Sequence, residues 1–274
     1  MALLDLHPRM HVATVLEHSE PANGTHVLSL DAPDLARATR AGQYVMVVPP
    51  SGEAAATALA IYDNSGNRAS VLFFVTGKRT RELAAVEAGD SLALAGPLGN
   101  GFDLSRGARD VAIVAGGVGI ASVWICAREL LARGARVRLF YGARTAEMLV
   151  EAQRFADAGC ELILTTDDGS CGERGFVTDA LARASMPQEI LACGPSPMLR
   201  RVGEIARERG VLAQLSLEET FGCGVGGCWG CVVPLVASSA QAPGFPPADA
   251  GGSDVVYARI CKEGPVFWAH ELRW

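Results

Sequence analysis

Val111-Ala-Ile-Val-Ala-Gly-Gly-Val-Gly-Ile-Ala121 decides the fold of this chain. Five residues suited to a buried strand run into a glycine turn, and a helix from about Ala121 to Arg133 follows, closed by Gly134. Downstream the pattern repeats. Strand Val137–Tyr141, helix Ala146–Ala158, strand Glu161–Thr165, helix Thr178–Ala184 and strand Ile190–Cys193 lead to helix Pro197–Arg209, Gly210 and strand Ala213–Leu217. Strands alternating with helices predict a doubly wound parallel sheet.

In such a sheet nucleotides bind where a strand turns into a helix, because bare N–H groups and the positive dipole end face a pyrophosphate there. Gly116, Gly117 and Gly119 occupy that turn. They depart from G-x-G-x-x-G, and close strand–helix packing explains them equally well. Cys193-Gly-Pro-Ser-Pro-Met198 opens another helix, with Cys193, Gly194 and Pro195 at the bend, and Thr165-Thr-Asp-Asp-Gly-Ser170 lies at a third strand end. Each alone reads as a plain turn. Three on one sheet edge favour a dinucleotide crevice. Arg144, past the second strand, lies where ribose specificity is often set and would suit NADP or simply the surface. NAD is the default expectation.

Upstream, residues 10 to about 103 read as short strands. Val12–Val15, His26–Leu30, Gln43–Val48 and Ser70–Val75 are rich in β-formers and punctuated by Gly24, Gly42, Pro49-Pro50 and Gly52. That spacing predicts a barrel. From about Glu218 the α/β pattern breaks into Cys223-Gly-Val-Gly-Gly-Cys228-Trp-Gly-Cys231. Ser238–Ser253 is rich in Pro, Ala and Gly and reads as an exposed insertion. The strand Val255–Ile260 then delivers Cys261. C-x4-C-x2-C…C is the plant-type spacing for a 2Fe-2S cluster. Structural zinc, which prefers paired short spacings, and free buried thiols are the alternatives. Three domains follow: 1–104, a barrel; 105–217, a nucleotide-binding α/β domain; and 218–274, the cysteine domain.

The chain has 274 residues, 49% of them hydrophobic, with a net charge of −6. No basic tract points to nucleic acid. Met1–Val12 has no apolar core of a secretory segment, so the eight cysteines read as cytoplasmic thiols rather than disulfides. Val111–Ala127 is short for a membrane span and is interrupted by glycines, so no membrane is expected. No G-x-S-x-G hydrolase elbow and no H-E-x2-H motif occurs.

Taken with Ile61-Tyr-Asp63, Gly96-Pro-Leu-Gly-Asn-Gly-Phe102, Gly175-Phe-Val-Thr-Asp179 and Ile260-Cys-Lys-Glu-Gly-Pro-Val-Phe267, these motifs make the chain resemble the electron-transfer subunit of bacterial dihydroorotate dehydrogenase, a ferredoxin reductase-type flavoprotein. Related subunits of sulfide dehydrogenases and of NADH-dependent ferredoxin:NADP oxidoreductases share the layout. The resemblance implies a flavin barrel, a doubly wound NAD-binding domain and a C-terminal 2Fe-2S domain. It implies FAD on Thr57, Ala58, Leu59, Ala60, Leu72, Phe73, Phe74, Gly77, Arg79 and Thr80. NAD(H) would lie on Gly116, Gly117, Gly119, Cys193, Gly194 and Pro195, and the cluster on Cys223, Cys228, Cys231 and Cys261. It further implies a partner, an FMN-containing dihydroorotate-oxidising subunit of pyrimidine biosynthesis, in a hetero-oligomer, a heterotetramer in the family.

The chain departs from the family where the flavin should sit. Thr57-Ala-Leu-Ala60 replaces Arg-Pro-Ile-Ser, removing an arginine expected on the pyrophosphate and a serine expected near the flavin's reactive nitrogen. Phe74 takes the place of a second arginine, and Arg79 that of a glycine. Two expectations follow. Either FAD binds with Lys78 or Arg79 substituting for the lost charge, helped by the N–H groups of the Gly77–Thr80 turn, or the flavin site has decayed and the chain is a non-catalytic scaffold with a cluster.

Overall fold

Alternating apolar residues close the N-terminal strands into a barrel. The computed structural model describes residues 9–52, 55–236 and 255–274, so the insertion at Ser238–Ser253 lies outside the described residues. The barrel strands are β1 (Met10–Ala22), β2 (Thr25–Asp31), β3 (Tyr44–Val48), β4 (Thr57–Asp63), β5 (Arg68–Phe74) and β6 (Ser91–Leu98). They close in the order β1-β2-β5-β4-β3-β6 with antiparallel pairing throughout. The short helices α1 (Pro33–Ala38) and α2 (Lys78–Leu83) each bury a leucine, Leu35 and Leu83, against it. On β3 the period of two separates two jobs. Val45 and Val47 point into the barrel core, while Tyr44 and Met46 join a second core with Phe221, Cys231 and Cys261.

The second unit is the expected sheet. β7 (Asp110–Gly116), β8 (Arg136–Ala143), β9 (Glu161–Thr166), β10 (Glu173–Arg174), β11 (Glu189–Gly194) and β12 (Leu212–Leu217) are parallel, in the order β10-β9-β8-β7-β11-β12. Helices α3 (Ile120–Ala132), α4 (Ala152–Asp157), α5 (Val177–Arg183) and α6 (Ser196–Arg209) connect them. Strand order reverses beside β7, between β8 and β11, which opens a crevice at the carboxyl ends of the strands.

The last segment does two things. β13 (Val232–Val236) and β14 (Val255–Arg259) form an antiparallel pair that presents the cysteines. β15 (Val266–Trp268) then returns to pair antiparallel with β12, so the otherwise parallel sheet has a seventh strand and the β12 edge is covered.

The single helix expected over Ala146–Ala158 is corrected by the structure. A 3-10 turn covers Ala146–Met148, Glu151 takes φ 61°, and only Ala152–Asp157 is α-helical. Contacts with the barrel outweigh the helical pattern. The Glu151 carboxylate accepts the Tyr62 hydroxyl at 2.5 Å, and Arg154 donates to Asp63 at 2.5 Å.

Asp63, at the end of β4, also accepts from Arg128 on α3 at 2.5 Å, so one carboxylate ties the barrel to two elements of the sheet domain. Burial pushes its pKa up. The Ser65 hydroxyl, Arg154 and Arg128 outweigh that and hold it below the usual carboxylate range. The folded pKa is depressed, so this contribution to stability is complete above the unfolded value of about 3.9 and lost as pH falls through the lower folded value. Asp63→Asn is expected to cost about 1–3 kcal/mol at pH 7, less than a fully buried pair because both arginines reach solvent. Urea unfolding should show the gap between variant and parent narrowing below pH 4.

Candidate functional site

At the seam of barrel and sheet lies a cavity of about 290 Å³. Its barrel wall is Thr57, Ala58, Leu59 and Ala60 of β4 with Leu72, Phe73 and Phe74 of β5, and Thr80 of α2 closes one end. The opposite wall comes from the sheet domain: Ser122 at the start of α3, Cys193 at the end of β11, and Ser216 and Glu218 at the end of β12. The Cys193 thiol donates to Glu218 Oε1 at 3.5 Å and interacts with the Ser122 and Ser216 hydroxyls. Burial, and then the Glu218 carboxylate, push the Cys193 thiol far above its ordinary pKa. Burial also raises Glu218 above the usual carboxylate range.

Gly77 and Arg79, assigned to the cofactor by resemblance, do not line the cavity among the described residues. The N–H groups of Thr76 and Gly77 are taken by the Thr80 hydroxyl, at 2.9 and 3.2 Å. The Arg79 guanidinium donates to the Ala56 carbonyl at 3.0 Å, and Lys78 lies 4.0 Å from Glu82 on the outside.

A larger crevice of about 630 Å³ runs over the switch point of the sheet. Gly116, Gly117 and Pro195 line it, with Arg144, Thr165, Asp167 and Arg201 farther along. Gly117 has φ +52°, a value glycine adopts freely, and a side chain there would meet only open space. The backbone is thus bare toward the crevice, as close approach of a pyrophosphate requires. The Thr165 hydroxyl, in the crevice wall, is buried without a hydrogen-bond partner. Gly119, Cys193 and Gly194, also expected on the dinucleotide, do not line it, and Cys193 lines the seam cavity instead. Gly119 is small because the Cys193 carbonyl crosses behind it, and Gly194 because Met198 and Gly116 pack there. Cavity and crevice share Phe74, Val118 and Glu218.

The cysteine loop meets the other end of the cavity. Tyr44 lines that cavity, and its hydroxyl proton is offered to the carbonyls of Gly224 and Cys261, both 2.7 Å away. Phe221 packs on the same ring, centroids 5.0 Å apart. Gly224 takes φ +68°, and a β-carbon there would stand 2.3 Å from the Met46 sulfur. Cys223 Sγ accepts from the N–H of Gly227 and Cys228, Cys228 Sγ from Gly230, and Cys231 Sγ from Cys261. Cys223 interacts with the Cys228 thiol, and Cys231 with Cys261. Among the described residues no three His, Cys, Asp or Glu side chains stand close enough to share one metal ion. Four neighbouring thiols, three with N–H groups on their sulfurs, would suit a binuclear cluster, which divides four ligands between two irons. Structural zinc gathers all four on one ion. Trp229, at φ +57°, covers the loop with Arg259 stacked on its ring at 4.5 Å.

Sequence reasoning missed Tyr44, Ser122, Ser216, Glu218 and Phe221. Only Ser216 and Glu218 carried a usable signal, their place at the carboxyl end of a sheet strand.

A closed antiparallel barrel on a doubly wound sheet, with a cavity at their seam opening on a nucleotide crevice, defines an oxidoreductase of the ferredoxin reductase-like class. The oxidoreductase NAD-binding domain family matches residues 113–204. The chain belongs to the family of dihydroorotate dehydrogenase B (NAD(+)) electron transfer subunits. It is 35% identical over 232 residues to that subunit from Caldanaerobacter subterraneus subsp. tengcongensis, covering 84% of this chain and 86% of the relative. With the probable electron transfer subunit from Methanothermobacter thermautotrophicus it shares 35% over 264 residues, 96% of this chain and 89% of the relative. Among solved structures, the NADH-dependent reduced ferredoxin-NADP oxidoreductase superposes with a TM-score of 0.79 at 27% identity, over 96% of this chain and 90% of that one. The chain is accordingly an oxidoreductase subunit of NAD-linked electron transfer. No helix among the described residues is long and apolar enough to cross a membrane.

Proposed function

We propose that this subunit passes electrons between NAD(H) and a partner flavoprotein, through a flavin at the seam cavity and a 2Fe-2S cluster on Cys223, Cys228, Cys231 and Cys261. The partner we propose is an FMN-containing, dihydroorotate-oxidising subunit, and the setting is the cytoplasm. When bound, a flavin exchanges hydride with nicotinamide and single electrons with an iron–sulfur centre. The observation that carries this reading is contiguity. The crevice and the cavity share Phe74, Val118 and Glu218, and Tyr44 joins the cavity to the backbone of two cluster-loop residues.

The chain's own residues supply the rest. Gly117 and the ends of β7 and β11 receive the dinucleotide. Ser122, Cys193, Ser216 and Glu218 offer hydrogen-bonding groups to a ring edge, with the Cys193 thiol proton directed at the Glu218 carboxylate. Phe73, Phe74 and Leu72 exclude water. The absence of lysine and arginine from the described residues lining the cavity favours the second reading, a scaffold subunit that keeps the cluster and has lost flavin. Reconstituting the chain anaerobically with a dihydroorotate-oxidising partner decides between them. NADH formation from dihydroorotate, with releasable flavin in the complex, is the expected result. A flavin-free, iron-loaded complex with no NAD reduction would establish the scaffold.

A further inference from the structure

We infer that the seam cavity recognises a flavin by its ring alone and has no purchase on a diphosphate, so that this subunit does not discriminate FAD from FMN or riboflavin. The inference rests on the flavin-bearing function proposed above and deepens it.

The end of the cavity that the resemblance gives to the diphosphate is made by Thr57, Phe74, Thr76 and Thr80. A diphosphate in a protein is held by bidentate arginine, by lysine, or by bare backbone N–H groups. Neither cationic side chain is offered, and the two N–H groups that lead into α2 are occupied. Among the described residues lining the cavity no side chain is cationic, and Glu218 and Glu219 add acid. Arg79 is tethered through Nη1 to the Ala56 carbonyl and does not line the cavity, and Lys78 lies beside Glu82. The N–H groups of Thr76 and Gly77 are both satisfied by Thr80 Oγ1. Placing a charged diphosphate on that wall strips its water without a compensating partner.

The rest of the cavity suits an uncharged heteroaromatic ring. Leu59, Leu72 and Phe73 give it apolar faces. Ser122, Cys193 and Ser216 line one edge with groups able to meet ring carbonyls and ring N–H. At about 290 Å³ the cavity lies at the small end of ligand sites, which run roughly 300–1,000 Å³.

The test is equilibrium titration of the full-length, cluster-reconstituted chain with riboflavin, FMN and FAD, followed by quenching of flavin fluorescence. The three dissociation constants are expected to agree within about threefold. Thr57→Arg, which returns a guanidinium to the end of the cavity, should tighten FAD by about ten- to a hundred-fold relative to riboflavin. FAD binding more than about tenfold tighter than riboflavin in the unaltered chain overturns the inference and leaves the proposed function standing. Failure of all three flavins to bind overturns both.

Discussion

Cys228→Ser is expected to strip the protein of iron. The anaerobically reconstituted parent should carry about two irons and matching sulfide per chain, as a binuclear cluster requires, and the variant close to none. The reason is geometric. Cys223 and Cys228 are neighbours, and removing Cys228 takes away one of the four thiolates such a cluster needs. The fold should survive. Cys228 is exposed, and its sulfur accepts only a long contact from the Gly230 N–H, at 3.5 Å. NADH binding should also survive, because the crevice shares no residue with the loop. Electron flow between NADH and the partner should fall to background. Iron and sulfide assays, with the electron paramagnetic resonance signal of the reduced protein, check this. Stoichiometric zinc in freshly isolated parent would sink the cluster reading.

Much of this architecture was legible in the sequence because its signals are local. Val111–Ala115 is an uninterrupted apolar run, and helices of α/β units end at glycines such as Gly134 and Gly210, both of which take positive φ in the structure. The barrel strands that went unread, Thr57–Asp63 and Ser91–Leu98, are rich in alanine, a poor β-former. They are strands because barrel closure gives their backbone groups partners on both sides. The helix over Ala146–Ala158 failed for the same kind of reason: Tyr62 and Asp63, almost ninety residues away, pull Glu151 and Arg154 out of register. The cavity was half legible. Its barrel wall follows from the resemblance, residue by residue. Its polar wall does not, since Ser122 comes from the start of α3 and Ser216 and Glu218 from the end of β12, about ninety residues apart with no shared motif. Position alone also misled at the glycines: Gly116, Gly117 and Gly119 look equivalent in sequence, yet the backbone gives them different work.

That difference yields the second large effect. Gly119→Ala should destabilise the protein by about 3 kcal/mol or more, because the new methyl would stand 2.2 Å from the Cys193 carbonyl oxygen and 2.8 Å from the Gly194 nitrogen. These are backbone atoms of β11, held on both sides by β7 and β12, and cannot swing aside as a side chain would. The start of α3 must instead lift off the sheet. A fall in thermal midpoint of roughly 6–12 °C is expected, with weaker NADH binding, since Cys193 and Pro195 line the two cavities that meet there. Gly117→Ala separates packing from ligand approach. Its methyl meets no atom within 4 Å, so the cost is the left-handed backbone alone, about 1 kcal/mol. The methyl does occupy the space through which a pyrophosphate reaches the α3 end. Gly117→Ala should therefore leave the midpoint within roughly 4 °C of the parent while weakening NADH about tenfold or more, read by calorimetric titration. Equal loss of stability in both variants would mean that the turn is ordinary strand–helix packing and that the crevice takes its nucleotide elsewhere.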